Sequence, residues 1–229
     1  MIRRVFDPVM DVLGQVLGSL ARLTVVSVFV ITFLVQPSQI PSGSMERTML
    51  VGDFVLVNKQ IFAPAGHWYW LLPYRDPQDN DIIVFHYPVH PAELLVKRTV
   101  AVPGDTLHLA HGQVVRNGVA IDEPFAVYTP AERSAFRDDF PNLQKADPGV
   151  EAAWWIELRR RMRGGELPVP AGRYFAMGDN RNNSQDSRFW GMVPRDTIVG
   201  EPLLVYMSLD RAAAAAQRVR WYRSLHVLR

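Results

Sequence analysis

At 229 residues with 48% hydrophobic content, the chain has room for one anchored domain with a sizeable insertion, and too little apolar sequence for a polytopic membrane protein. The absence of cysteine excludes disulfides, thiol catalysis and cysteine-bound zinc or iron–sulfur sites. A formal net charge of +2 is only a weak basic bias and assigns no polyanionic partner by itself.

The first element is an apolar run. Residues 23–35, LTVVSVFVITFLV, carry no charge but are short for a span, which needs about 20 residues. Extension back to Val12 supplies the length and brings in Arg22, which can snorkel toward the headgroups. Residues 12–35 are therefore predicted to be a transmembrane anchor, with residues 1–11 as a cytoplasmic amino terminus. Arg3, Arg4 and Arg22 precede the core, so the positive-inside rule puts the following residues outside. A cleaved secretory signal shares the basic start and short apolar core, but Gln36-Pro37-Ser38 gives no small-x-small site after Val35.

After the anchor the pattern becomes one of short strands. Residues 53–58, 81–87, 94–102, 113–119, 174–177 and 200–207 are rich in β-branched and aromatic side chains, with proline, glycine and asparagine between them. Asn117-Gly118 predicts a hairpin turn, since both residues tolerate positive φ. The reading is a mainly β protein: an antiparallel sheet core of residues 36–122 and 170–229. Residues 123–169, which carry five prolines and mixed charge, read as an insertion poor in regular structure rather than an independent domain. Helical periodicity is strong only over residues 150–163, and residues 212–216 form a candidate second short helix. Trp68-Tyr69-Trp70-Leu71-Leu72 suits either a bilayer interface or a packed core. The arginines of residues 159–163 and 211–229 suit an anionic membrane, nucleic acid or a solvated face.

Directly after the anchor stands Pro41-Ser42-Gly43-Ser44-Met45. A serine hydroxyl is a weak nucleophile and needs a base. None of the six histidines lies in a nucleophile-elbow or trypsin-like context. The chain has three lysines, and Lys97 sits in the apolar stretch Leu94-Leu95-Val96-Lys97. Lysine loses its proton usefully when buried, which arginine does not. To serve near neutral pH, Lys97 has to drop about 3 pKa units from its usual value. A carboxylate beside it would oppose that, so Asp105 and Asp179 are expected to point elsewhere. Ser184 and Ser187 are candidates to orient the amine. An extended course over residues 41–45 would put Ser42 and Ser44 on one face, Ser44 attacking while its own N–H and the Ser42 hydroxyl steady the oxyanion. The residues alone leave plainer readings open: an edge-strand lysine that discourages aggregation, and a Ser/Gly linker after the anchor. The polar segment from Gly178 to Arg188 reads as a loop. Asp179, Asn180, Asn183 and Asp186 offer oxygen ligands, but the EF-hand spacing and glycine are missing, and no metal is assigned. Asp186 and Arg188 are expected to pair and pin the loop, with Gly178 letting it pass close to Lys97.

Four segments in order resemble the signature boxes of the bacterial type I signal peptidases. They are Pro41-Ser42-Gly43-Ser44-Met45-Glu46-Arg47-Thr48-Met49-Leu50, then Gly52-Asp53-Phe54-Val55-Leu56-Val57-Asn58-Lys59, then Lys97-Arg98 with Pro103-Gly104-Asp105, and finally Gly178-Asp179-Asn180-Arg181 through Ser184, Asp186, Ser187 and Arg188. The resemblance implies a signal-peptidase-like or repressor-protease-like β fold, with Ser44 as nucleophile, Lys97 as general base, and the Ser44 amide and Ser42 hydroxyl as oxyanion donors. It further implies Ser184 as the group orienting the lysine, and Gly178, Asp179, Asp186 and Arg188 as structural supports. Ile40, Leu95 and Val96 would line apolar pockets for a substrate that pairs as an extended strand. The implied partners are secretory preproteins with small residues at −1 and −3 and the lipid bilayer, not nucleic acid, and no cofactor is called for. The implied location is the bacterial inner membrane, crossed once, with the catalytic domain on the periplasmic side. Arg47 departs from the family, which usually has proline there. Some members carry two amino-terminal spans, where this sequence has one. Other classes consistent with the residues are a maturation peptidase, a self-cleaving repressor-like protein and a catalytically silent peptide-binding β domain.

Overall fold

A computed structural model describes residues 3–63, 74–144, 147–214 and 217–228, with side chains from Asp11 onward. The Trp68 to Leu72 segment lies outside the described residues.

Helix α1 spans Arg3–Phe29 and runs into a π-helical turn at Val30–Leu34. The window Asp11–Leu34 is the one helix among the described residues long and apolar enough to cross a membrane. Leu23, Val25 and Ile31 are exposed, so this surface has no packing partner among the described residues. Arg22 folds back one turn, its Nε donating to Gly18 O at 3.2 Å, the direction a helical side chain takes toward the amino-terminal end.

The chain passes without a linker from the π turn into strand β1, Val35–Gln39. β1 pairs antiparallel with β2, Asp53–Asn58, Val35 facing Asn58. The last carbonyls of a helix lack intrahelical donors, and a nearby cation suits them. Here Lys59 supplies both its amide, to Leu34 O at 3.0 Å, and its ammonium, to Thr32 O at 3.0 Å. The Gln60 side chain caps Phe33 O.

Strands β3, Ile82–His86, and β4, Leu94–Ala101, form an antiparallel pair. Next come β5, Thr106–Ala110, β6, Gln113–Arg116, and β7, Val119–Ala120. Asn117 and Gly118 join the last two with φ of 53° and 76°, the left-handed pair that a tight hairpin requires. Helices α2, Ala135–Asp138, and α3, Ala152–Arg161, follow, then β8, Leu167–Pro168, and β9, Arg173–Met177. The chain closes with α4, Ser187–Trp190, and strands β10, Val193–Pro194, β11, Ile198–Ser208, and β12, His226–Val227.

The larger sheet runs β1-β2-β11-β3-β4-β9-β10, with β12 added to β11. β11 serves both halves: Ile198 and Gly200 pair with β3, and residues from Glu201 to Ser208 pair with β2 through two register shifts. Such bulges increase local twist and let one strand bend between two surfaces. A smaller sheet runs β7-β6-β5-β8. One core, with Ile83, Phe85, Leu107, Phe140, Trp154 and Phe175, joins the two sheets and the α3 helix. A second, with Ile40, Met45, Met49, Val55, Val84 and Val205, lies under the serine segment.

Within residues 123–169, Phe136, Phe140, Trp154, Leu158 and Leu167 are buried in the main core, and the smaller sheet begins before them at Thr106. Two expectations change. The helix expected at 212–216 is absent from the described residues 212–214, where the chain bends. Helix α3 is as periodicity predicts but shorter, ending at Arg161 because Met162 turns out of the helix at ψ 135°.

Candidate active site

Ser44 lies in a single 3-10 turn, Gly43–Met45, not in an extended segment. Ser42 just before it, at φ −132° and ψ 157°, is extended. The turn arises because Met45 and Met49 are buried in the second core, with Met49 N bonding back to Met45 O at 2.8 Å. It still brings the two hydroxyls together, Ser42 Oγ lying 3.3 Å from Ser44 Oγ.

Strand β4 carries Lys97 to the same point. Its Nζ donates to Ser44 Oγ at 2.7 Å, and both residues are buried. Burial lowers the Lys97 ammonium to about 8. The Asp186 charge opposes that fall, the Arg188 charge assists it, and Asp179 opposes it weakly. Neither Asp105 nor Asp179 bonds to the amine. Asp105 receives Val102 N and Asn117 Nδ2. Asp179 is claimed by Arg98 through two bonds of 2.8 Å and by the Thr48 hydroxyl at 2.6 Å.

The polar loop from Gly178 to Arg188 buttresses this pair. Asn180 N donates to Ser44 O at 3.0 Å. Gly178 crosses the serine turn so closely that a Cβ there would stand 2.5 Å from Ser44 O and collide with the Ser184 hydroxyl. The close approach is thus to Ser44 rather than to Lys97. Asp186 takes two bonds of 2.8 Å from Arg188 and one from Gly178 N at 3.1 Å, while Arg188 also holds Arg181 O at 2.8 Å. Arg181 in turn pairs with Glu123.

Ser184 is buried beside the pair, but among the described residues its Oγ has no hydrogen-bond partner, so the bond expected from it to Lys97 is not formed. Ser187, the other candidate, accepts Ala176 N at 3.0 Å and holds β9 instead. Asp179 and Asp186 are each consumed by an arginine. Among the described residues no group of three or more His, Cys, Asp or Glu side chains is placed to hold a metal ion.

A cavity of about 200 Å³ opens on one side of Ser44. Ile40, Leu95 and Val96 line it, together with Gln39, Leu94 and Val84. β4 pairs with β3 along residues 94–98, but β9 joins it only from Arg98 onward, so residues 94–97 keep one strand edge open to this groove. An open edge beside apolar pockets is where an extended chain adds as a strand.

The sequence does not reveal the pairing of Arg98 with Asp179 and Thr48, nor the bond from Asn180 N to Ser44 O. Three of the boxes contain these residues, but partners 81 positions apart, as Arg98 and Asp179 are, leave no local pattern. Arg47 has φ of +83°, a value closed to proline, so the turn after the serine is built differently from one with proline in that place.

A family model described as "Signal peptidase, peptidase S26" matches residues 13–207. The chain is 38% identical over 194 residues to a signal peptidase I of Pseudomonas aeruginosa, covering 77% of this chain and 66% of that one. It is 32% identical over 212 residues to a signal peptidase I of Aquifex aeolicus, covering 79% and 78%. The chain thus spans just under two thirds of the length of the Pseudomonas relative. A crystal structure of a signal peptidase I from Enterococcus faecalis matches at 29% identity and a TM-score of 0.38, over 56% of this chain and 97% of that one.

Proposed function

We infer the activity from one premise: the chain belongs to the signal peptidase family. The protein is a membrane-anchored serine endopeptidase that removes amino-terminal signal peptides from exported preproteins. The observation that carries this reading is the 2.7 Å contact between Lys97 Nζ and Ser44 Oγ, in a setting where burial lowers the amine to about 8.

With Lys97 deprotonated, the contact runs the other way: Ser44 donates and the amine accepts. Ser44 Oγ attacks the scissile carbonyl as its proton passes to Lys97. The Ser44 amide and the Ser42 hydroxyl stabilise the oxyanion, the latter after turning from Ser44 Oγ. The tetrahedral intermediate collapses to an acyl-enzyme while Lys97 returns the proton to the leaving amine, which departs as the mature protein's amino terminus. Water then attacks the ester with Lys97 again as base, releasing the signal peptide and restoring Ser44. Ser184 Oγ, unbonded among the described residues, turns toward the amine and steadies it at the steps in which its charge changes.

The preprotein adds to the open edge of β4. Small side chains at −1 and −3 fit the shallow pockets at Ile40, Leu95 and Val96. The anchor crosses the bacterial inner membrane once, amino terminus in the cytoplasm, leaving the sheets on the outer side where preproteins emerge.

The test is cleavage of a purified preprotein by the chain in detergent, read by mass spectrometry, beside Ser44→Ala and Lys97→Ala. A single cut after a small-x-small site, missing with both variants, is the expected result. Wild-type rates with either variant overturn the dyad. A preprotein bound but never cut by the wild type overturns the peptidase.

A further inference from the structure

A second groove of about 490 Å³ meets the first at the Ser44 and Lys97 pair. Both are lined by Ser42, Ser44, Leu95 and Lys97, and beyond them they diverge. The first continues along Ser38, Gln39 and Val84, the side of β1 and the anchor. The second continues along Ser134, Arg137, Asp147, Asn182, Asn183 and Gln185. An extended chain cut at Ser44 has to leave along this second path if its apolar signal side lies in the first. The lining leans the same way: beyond the shared residues the first groove adds mostly apolar side chains beside Ser38 and Gln39, and the second adds mostly hydroxyl, amide and charged groups beside Phe189.

The second groove also has a sign. Arg137 is neutralised locally, its Nε and Nη2 bonding to Asp138 at 2.6 and 3.0 Å, and it reaches Asn182 O at 3.4 Å. Asp147 accepts Gly149 N at 2.8 Å and the Ser134 hydroxyl at 3.5 Å, and among the described residues it forms no ion pair. A carboxylate backed by a neutral amide and a hydroxyl keeps its charge facing the groove. Lys97, the other titratable group on the lining, is neutral in the form that attacks.

We propose that this groove receives the first residues of the mature protein and that Asp147 makes it discriminate by charge, favouring a cationic side chain over a carboxylate there. This rests on the peptidase reading and adds a determinant of specificity on the leaving-group side of the cut. The residues that supply it, Ser134, Arg137 and Asp147, come from the segment that carries no signature box.

The test uses the full chain in detergent and peptides identical up to the cut, with Lys or Glu at the second, third or fourth residue after it. At one of these positions the wild type turns over the Lys peptide about tenfold better than the Glu peptide by kcat/KM, the size expected for two half-exposed charges a few ångströms apart. The ratio shrinks in high salt. It falls toward one in Asp147→Asn and inverts in Asp147→Lys, with thermal unfolding used to confirm that each variant is folded. Equal rates on Lys and Glu peptides in the wild type overturn the proposal whether or not the variants fold, and so does a ratio that survives Asp147→Asn. Failure to cut any peptide overturns the peptidase reading and this proposal with it, an outcome distinct from cutting all peptides equally.

Discussion

Arg98 and Asp179 form a bidentate ion pair, both bonds 2.8 Å, one residue along the strand from Lys97. Neighbours in a strand face opposite sides, so β4 sends its arginine to a carboxylate and its lysine to a hydroxyl. Almost no solvent reaches the pair. Breaking such a pair from one side leaves a buried charge uncompensated, at about 3–5 kcal/mol. Asp179→Asn is expected to lose stability on that scale in chemical unfolding. Arg98→Leu with Asp179→Leu should lose much less than the two single changes summed. Additive losses would show that the two residues act independently.

The pH profile of cleavage follows from Lys97. Its folded value of about 8 means that the neutral amine, the attacking form in the proposed mechanism, grows as pH rises through 8. kcat/KM should climb about tenfold per unit below that point and level off above it. Asp186 raises the amine and Arg188 lowers it, so Asp186→Asn removes the first influence and frees the second. The acid limb then moves to lower pH in whatever fraction of that variant folds. A profile flat from pH 6 to 9 would rule out Lys97 as the titrating base.

Gly178→Ala tests the close approach of the polar loop to the serine turn. The added methyl meets a main-chain oxygen, Ser44 O, which cannot swing aside as a flexible side chain does. The loop and the serine must separate, and a displacement near 1 Å costs catalysis about a hundredfold. Turnover is therefore expected to fall far more than the unfolding midpoint. Wild-type kcat in this variant would contradict the contact.

Arg47 gives a prediction on stability alone. An L-residue held at φ +83° is strained by about 1–2 kcal/mol, which glycine avoids. Arg47→Gly is expected to match or exceed the wild type in stability. Arg47→Pro, with φ locked near −65°, is expected to fall by more than about 1 kcal/mol. Unfolding midpoints of the pair decide it, and a stabilising proline would mean that the turn takes the other hand.

Asp53 links stability to acid. Burial pushes its carboxyl up, but the Arg223 guanidinium, the Ser208 hydroxyl and Leu50 N outweigh it and the net shift is downward. A depressed carboxylate contributes stability that is complete above its unfolded value near 4 and lost as pH falls through the lower folded value. In Arg223→Leu that contribution disappears. The stability gap between wild type and variant should be wide at pH 7 and should narrow below about pH 4. A gap independent of pH would deny the ion pair its role.

Much of this fold is legible residue by residue. β2, β3, β4 and β9 announce themselves through β-branched and aromatic runs, and Asn117-Gly118 marks its own hairpin. β1 is different: Gln36, Pro37 and Ser38 carry no β-branched or aromatic side chain, and only pairing with β2 makes them a strand. β5 hides because it is short: Thr106 and His108 alternate with Leu107 and Leu109, a pattern of two apolar residues. Of the site, the positions of Ser44 and Lys97 could be argued from residue type and neighbours. The 3-10 turn around Ser44 could not, because burial of Met45 and Met49 in a core built from residues far along the chain imposes it. Nor could the partner of Ser187, a main-chain amide on β9.

The cap that Lys59 and Gln60 place on the helix end, and the direct run of that helix into β1, leave no slack between span and sheet. A hinge there would let the serine sample a range of heights above a bilayer. A splice of this kind works as a ruler: where the helix crosses a membrane, the depth of its last apolar turn sets how far from the surface a bond must emerge to meet Ser44.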